Sequence, residues 1–534
     1  MPVRVTVVVA VFDPGPAIDA VIDSVRAQTL GTDALELLLV DDGSTDGTGP
    51  RLEALARREP WVTYVGMPNS GWPSRPRNTG VARARGEHVL FLDHDDALFP
   101  EALERMLAAA DRDGADIVLG KEVRTGGRCV WLEAYRHNRS QADLFADGLG
   151  DFTPHKLFRT AFLREHGLVF PEHLRRLEDH ALLAAAYAHS PSVSVVADRA
   201  CYRWNAHATS HSARLPDPET YYAALEHVLD LVDAWPHPEE VKDRARAFWL
   251  QTVVLERFGP RGYRTWPADY RPAFHAAARR VLLARFDPAL DERVPASFRV
   301  RAMLLRSGDE PALLAWSEAD SAVTTRPVLR AGEGAPGGLR LRLETTLVAH
   351  GTPVTFTDED GGVRQVPSTP LPDDVARRAP EVDGELRRAR VDVVLTERAT
   401  HAEWFLPTRA SHGLREADGA LVWGASADAE LLPATALMGS PLTPGIWDVR
   451  LRVAVLGYDS RPMVALAGCP PPQVEVGDLR VRPYATAGGH LAVRVSRRPR
   501  PPATPSRARR AWRRHAPAPL RSAVRRARAR LAGR

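Results

Sequence analysis

A chain of 534 residues with 44 % apolar and 26 % charged side chains is too long for one hydrophobic core and too apolar for a disordered polymer, so about three soluble domains are expected. Three scattered cysteines, Cys129, Cys201 and Cys469, exclude a disulfide framework and a thiolate zinc site and predict a reducing, cytoplasmic setting. The net charge of +4 hides an asymmetry: residues 497–534 hold fourteen arginines and no acid, leaving 57 basic against 67 acidic side chains elsewhere.

No apolar run reaches the roughly 18 residues that span a bilayer, and the opening MPVRVTVVVAVF lacks the basic start and cleavage site of a signal peptide. Residues 1–120 alternate between two periods. Strands are predicted over 3–11, 35–40, 62–65, 88–92 and 116–119. Between them Ile18, Val21, Ile22 and Val25, and later Leu103, Met106, Leu107 and Ala110, follow helical spacing. Continuous apolar strands alternating with helices predict an α/β domain, doubly wound about a mostly parallel sheet, with ligands at the carboxyl ends of the strands. A helix near 179–188 and a strand near 193–197 complete this domain, 1–215. Residues 216–296 read as a helical segment. From 297 to 495, runs such as PALLAWSEA, LRLRLETTLV, RARVDVVLTERA and GIWDVRLRVAVLGY, broken by Gly, Pro and Asp, predict an all-β, sandwich-like domain, as one sandwich or two smaller ones. Residues 496–534 form a basic tail, Pro- and Arg-rich at first, with Leu520, Val524, Ala527 and Leu531 on one side of a short helix.

Chemistry collects at the strand ends. After the first strand comes AVFDPG, 10–15, and after the second VDDGSTDGT, where Asp41 or Asp42 can accept from a pyrimidine N3–H while Ser44, Thr45 or Asp46 caps a helix. NSGWPSRPRNTG, 69–80, sets Arg75 and Arg77 at a helix start suited to a diphosphate. FLDHDD, 91–96, crowds three carboxylates at the end of a buried strand. Such crowding calls for a divalent cation, Mn²⁺ or Mg²⁺, that would also neutralise a departing diphosphate. LEDHALL, 177–183, presents Glu178 and Asp179 at a helix start. There the helix end is expected to keep a general base ionised. His207 and His211 are candidates to complete a metal shell.

In this order, the motifs resemble the family 2 glycosyltransferases of GT-A fold over residues 3 to about 214. They run strand–VDDGSTD, RNTG, FLDHDD, KLF at 156–158, FPE at 170–172 and LEDH. NSGWPSRPRNTG and the late SHS are similar to the wall teichoic acid enzymes that glycosylate poly(ribitol phosphate). The resemblance implies that Ala10, Phe12, Asp42 (or Asp41) and Asn69 hold uridine and that Arg77 lies near the diphosphate or sugar. It implies that Asp93 touches the ribose or donor sugar, that Asp95 ligates the metal with His211 (or His207) beside it, and that Asp179 is the catalytic base. Phe12 and Asp13 depart from the Tyr–Asn usual after the first strand.

The implied reaction is an inverting transfer of a sugar from a UDP-sugar to a hydroxyl of a cell-envelope polymer or lipid-linked glycan. The alternative is a non-catalytic carbohydrate-binding protein on the same scaffold. A nucleotidyltransferase would need a Gly-rich triphosphate loop after the first strand, which AVFDPG does not supply. The helical and β segments are expected to position a long acceptor or build a homo-oligomer. The tail is expected to meet an anionic membrane at the cytoplasmic face or an anionic polymer. With Trp512 as its one aromatic, it lacks the stacking platforms of nucleic-acid binders.

Overall fold

The computed structural model describes residues 2–125, 132–143, 152–190, 192–206, 214–259, 262–359 and 361–498. The first domain is built on nine strands: β1 (Val5–Val11), β2 (Leu35–Asp41), β3 (Val62–Gly66), β4 (His88–Asp93), β5 (Ala97–Leu98), β6 (Ile117–Arg124), β7 (Arg139–Asp143), β8 (Lys156–Arg159) and β9 (Ser192–Trp204). They run in the order β3-β2-β1-β4-β8-β6-β9-β5, with β7 beside β9. The first four are parallel, and so are β6 and β9; β8 enters antiparallel between β4 and β6. The parallel part is the expected one. The antiparallel insertion of β8 decides where the site lies.

Alternation explains the two-sided burial. Val5, Val7, Val9 and Val11 of β1 enter one core and Val8 the other; Leu37 and Leu39 of β2 oppose Leu38 and Val40; Leu90 and Leu92 of β4 oppose Val89 and Phe91. The covering helices are α1 (Ala17–Arg26), α2 (Thr48–Arg58), α3 (Ser74–Arg83), α4 (Ala102–Asp113), α5 (Thr160–Glu165) and α6 (Glu178–His189). The apolar stripes expected on α1 and α4 are buried. Helix α3 lies so close to the sheet that a Cβ on Gly80 would stand 2.2 Å from Val8, so the glycine of RNTG is a packing requirement.

A helical layer follows: α7 (Pro218–Asp233), α8 (Glu239–Trp249), α9 (Arg271–Arg285), α10 (Ala296–Ser307) and α11 (Glu310–Asp320). It shares one core with the inner side of α6. Trp235 donates to the Ala184 carbonyl at 2.9 Å, and Trp249 to His180 Nδ1 at 3.1 Å, so the layer braces the LEDH helix directly. The run PALLAWSEA, expected as a strand, is the body of α11. Asp309 caps it by accepting from Ala312, a proline sits in the first turn, and Leu313, Trp316 and Ala319 recur at helical spacing toward the core. Capping and period outweigh the local strand-like texture.

The remainder is one sandwich. A nine-stranded sheet and a seven-stranded sheet share a single core. Leu339, Leu341, Leu343 and Trp423 of the first meet Val393, Leu395, Trp447 and Leu451 of the second. The sandwich docks on the first domain through charge. Arg136 forms a fork to Asp392 at 2.8 and 2.7 Å, Glu133 meets Arg452 at 2.9 Å, and Lys121 Nζ stands 3.5 Å from the Trp404 ring centre. Among the described residues no helix is long and apolar enough to cross a membrane.

Candidate active site

Parallel register brings the strand ends together: Ala10 of β1 lies between Val40 of β2 and Asp93 of β4. Phe12, just beyond, is 43 % exposed and free to meet a flat ring. His94 Nδ1 stands 3.3 Å from the Ala10 carbonyl and 3.4 Å from the Phe12 amide, tying the two strand ends.

The two carboxylates of the VDD run are both buried, and they face different partners. Asp41 accepts from the Ser44 amide at 2.9 Å and the Tyr64 hydroxyl at 3.0 Å. Asp42 accepts from the Ser70 amide and hydroxyl at 2.9 and 3.0 Å, which fastens the loop carrying exposed Asn69. Gly43 permits that approach: its φ is +77°, and a Cβ there would lie 2.9 Å from the Asn69 nitrogen. Asp13 has a φ of 43° and accepts from the Thr45 and Asp46 amides at 2.6 and 3.2 Å, while its own amide donates to Ser44 Oγ at 3.0 Å. The acid that replaces the usual asparagine is a clasp between two loops.

The two arginines of SRPRNTG separate. Arg75 is exposed and pairs with Glu172 of FPE at 3.0 Å. Arg77 is buried; its Nη2 donates to Asp93 at 2.7 Å and its Nη1 is 3.7 Å from Glu178. Arg77, expected near the diphosphate or the sugar, spans the two acidic motifs. Asn78 holds its helix to FPE by exchanging two hydrogen bonds with the Phe170 backbone, at 2.9 and 2.8 Å.

At the end of β4, Asp93 and Asp96 approach His155 of the segment entering β8. Among the described residues these three form the one group whose ligand atoms lie close enough, within 4.8 Å, to share a metal. Carboxylate oxygens with an imidazole suit a divalent cation such as Mn²⁺. Asp95, expected as the ligand, sits half-buried on the intervening turn, its carbonyl accepting from Asn205 at 2.9 Å. His207 and His211 lie outside the described residues.

His155 is the residue that sequence reasoning missed. It is buried, with Nε2 3.5 Å from Asp93 and Nδ1 3.0 Å from Glu122, and its ring stacks on Tyr202 at 4.0 Å. Burial opposes its charge, but the two flanking carboxylates win and hold it up to about 10. Asp93 is correspondingly held well below the carboxylate range: burial raises it, and Arg77 and His155 more than reverse that. Asp96 accepts from the Tyr202 hydroxyl and the Asn205 amide, both at 2.7 Å. Burial and then Asp93 push it up to about 8.

Helix α6 opens on a strained residue: Leu177 has a φ of 57°, unusual for a bulky side chain. Burial and then Asp179 raise Glu178 to about 7. Asp179 accepts from the His180 amide at 2.9 Å, yet its pKa is raised. This corrects the expectation that the helix end would lower it, because desolvation outweighs the amide contacts at this half-buried position.

The model of glycosyl transferase family 2 matches residues 6–165, and that of the glycosyl transferase TarS linker domain matches 218–317. A poly(ribitol-phosphate) beta-glucosyltransferase of Bacillus spizizenii is 32 % identical over 258 residues, 48 % of this chain and 40 % of the relative. The poly(ribitol-phosphate) beta-N-acetylglucosaminyltransferase TarS of Staphylococcus aureus is 29 % identical over 224 residues, 42 % of this chain and 39 % of TarS. The matched stretch therefore spans well under half of these curated relatives. The crystal structure of S. aureus TarS superposes with a TM-score of 0.53 at 19 % identity, covering 93 % of this chain and 86 % of that one. Its 1-349 fragment in complex with UDP-GlcNAc superposes with a TM-score of 0.55 at 22 % identity, covering 69 % and 98 %. At these identities the structures speak for the fold. Residues 6–165 are thus a family 2 glycosyltransferase domain of GT-A architecture, and the chain joins it to a TarS-type linker domain at 218–317.

Proposed function

We propose that the chain is an inverting glycosyltransferase that moves a sugar from a UDP-sugar to a hydroxyl of a poly(ribitol phosphate)-like cell-envelope polymer. The observation that carries the reading is the span of Arg77 from Asp93 to Glu178, which sets the acidic strand end and the Asp179 helix start on one cation. The relatives named for poly(ribitol phosphate) support the acceptor class, and the fragment in complex with UDP-GlcNAc supports the donor class.

In this reading Ala10, Phe12, Asp42 and Asn69 line the uridine pocket, with Asp41 buttressing the strand end from beneath. Asp93 meets the ribose or donor sugar, and Arg77 fixes its rotamer. Mn²⁺ or Mg²⁺ would be held by Asp93, Asp96 and His155, with Asp95 on the same turn toward the donor, and would supply charge neutralisation for the departing diphosphate. The donor set fits that role: two carboxylates and an imidazole converge within 4.8 Å at the end of β4, and the cation would take the place of the His155 proton. Asp179 takes the proton of the acceptor hydroxyl as its oxygen attacks the anomeric carbon. Its raised pKa makes it a better base than an ordinary aspartate. The helical layer braces Asp179 through His180, and the sandwich extends the surface available to a long acceptor. The tail beyond Arg498, expected to meet a membrane or a polymer, lies outside the described residues.

The test is UDP release from a panel of UDP-sugars with Mn²⁺, with and without EDTA, and with and without ribitol phosphate oligomers. Release that requires the metal and rises with the oligomer is expected. A protein that binds oligomer and releases nothing from any donor would be a carbohydrate-binding protein instead.

A further inference from the structure

The seven-stranded sheet buries one face in the sandwich; its other face is covered by the first domain at Asp392 and Arg452 and is exposed at the far end, around Arg482 and Arg494. Its strands Leu479–Ala485 and Leu491–Arg497 are antiparallel, with Arg482 directly opposite Arg494 and Arg480 opposite Ser496. Alternation sends Val481, Val493 and Val495 inward and both Arg482 and Arg494 outward, where they are exposed.

Side chains directly opposite on one face stand roughly 4.5–5.5 Å apart at Cβ, and like charges there destabilise the pair. Elsewhere on this molecule facing charges are matched: Arg342 opposes Asp428 at 2.9 Å, and Arg330 reaches Glu344 at 2.9 Å. Here they are not. Among the described residues neither Arg482 nor Arg494 meets a carboxylate. Glu475 is already shared by Arg480 and Arg498, at 3.1 and 2.9 Å. Tyr484 continues the outward row, with the Arg494 guanidinium 5.8 Å from its ring centre. The same strand leads into residues 497–534 with their fourteen arginines.

We infer that this outer face is a binding surface for a linear polyanion whose repeat carries a phosphodiester. Paired guanidinium forks are the donors suited to phosphate oxygens, and a tyrosine in the row offers an apolar plane to the polyol between phosphates. Other occupants fit less well. The chain's own tail has the same sign of charge. A second copy meeting this face by two-fold symmetry would set arginine against arginine. An anionic membrane would be met by charge alone, because the large apolar side chains exposed on the described surface are Phe12, Val169, Leu215, Leu283 and Val366, none of them on this sheet.

The inference rests on the proposed acceptor reading for the identity of the polymer, though not for the existence of the surface. The full chain is titrated with a fluorescent ribitol phosphate oligomer over a range of salt, beside the double variant Arg482→Gln, Arg494→Gln. The expected result is a Kd raised about tenfold and a shallower dependence of log Kd on log salt, by one to two ions, with acceptor-independent UDP release unchanged. An unchanged Kd and slope would overturn the proposal. So would loss of binding to phosphatidylglycerol vesicles with oligomer binding intact, which would make this a membrane surface. The acceptor reading fails separately: if the wild type binds the oligomer through these arginines yet transfers no sugar to it, the surface stands and the enzymatic reading falls.

Discussion

Arg77 donates to Asp93 at 2.7 Å, joining the first turn of α3 to the last residue of β4. With Glu178 3.7 Å from its other terminal nitrogen, one buried guanidinium is the counter-charge for two motifs far apart in sequence. Arg77→Ala would strand those carboxylates, and breaking a buried pair in this way costs roughly 3–5 kcal/mol. Calorimetry should show a clearly lowered melting temperature, together with loss of UDP release. Arg77→Lys keeps the charge and loses the fork, so it should recover stability more than turnover. Wild-type melting in the alanine variant would remove Arg77 from the centre of the site.

Asp179→Asn preserves shape and removes the proton acceptor. Turnover with acceptor should fall roughly 10²- to 10⁴-fold while donor affinity, read by UDP titration, stays near wild type. An asparagine variant that turns over normally would mean that another group, with Glu178 first in line, accepts the proton.

Glu178 is the neighbour whose burial shows in stability. Its pKa in the folded chain is about 7 against an ordinary 4.5, so between those values the folded chain holds a proton that the unfolded chain has released. Stability from this group is therefore present at low pH and falls as pH climbs through that window. Glu178→Gln removes the dependence. Its melting temperature relative to wild type should rise from about pH 5 to about pH 8, and a constant difference across that range would contradict the assignment.

The parts of this molecule that could be read from sequence are those specified by short stretches. β1, β2 and β4 are continuous apolar runs, and α1 and α4 carry apolar residues at helical spacing. VDD, DHDD and LEDH each set acids at a strand or helix end within a few residues. What could not be read is assembled across the sheet. His155 and Glu122 have no neighbours in sequence that mark them. They meet Asp93 only because β8 inserts antiparallel between β4 and β6, a pairing set by long-range register. Tyr202 arrives with β9, opposite Leu98. Within DHDD, sequence cannot tell that Asp96 turns inward to Tyr202 and Asn205, because the turn is shaped by those partners. Helix α11 was hidden by a texture shared with the strands that follow it.

Asp13 bears on donor affinity rather than on the chemical step. Its carboxylate gathers the Thr45 and Asp46 amides, which fixes the loop after β2 against the strand end that carries Phe12. Asp13→Ala should raise the donor KM roughly tenfold and leave kcat within about twofold. Asp13→Asn keeps an oxygen acceptor and should behave nearly as wild type. A kcat defect equal to the KM defect would show that the clasp acts on catalysis itself.

Lys121 ties the sandwich to the catalytic sheet from the strand that also carries Glu122. The two side chains leave β6 in opposite directions, Lys121 to Trp404 and Glu122 to His155. Burial lowers the Lys121 pKa from 10.5 to about 7, so above that value the folded chain has given up a proton that the unfolded chain still binds. The sign is opposite to that of Glu178: this group penalises folding fully below about pH 7, and the penalty fades as pH rises toward 10.5. Lys121→Met fills the same space without charge. It should melt above wild type near pH 6, with the gap narrowing above about pH 7 and closing only near pH 10.5. Since the aromatic face of Trp404 favours the cation by about 1–2 kcal/mol when desolvated, Trp404→Leu in the wild-type background should widen the pH dependence rather than remove it. A Lys121→Met chain that melts below wild type at every pH would mean that the ammonium holds the two domains together, outweighing its desolvation.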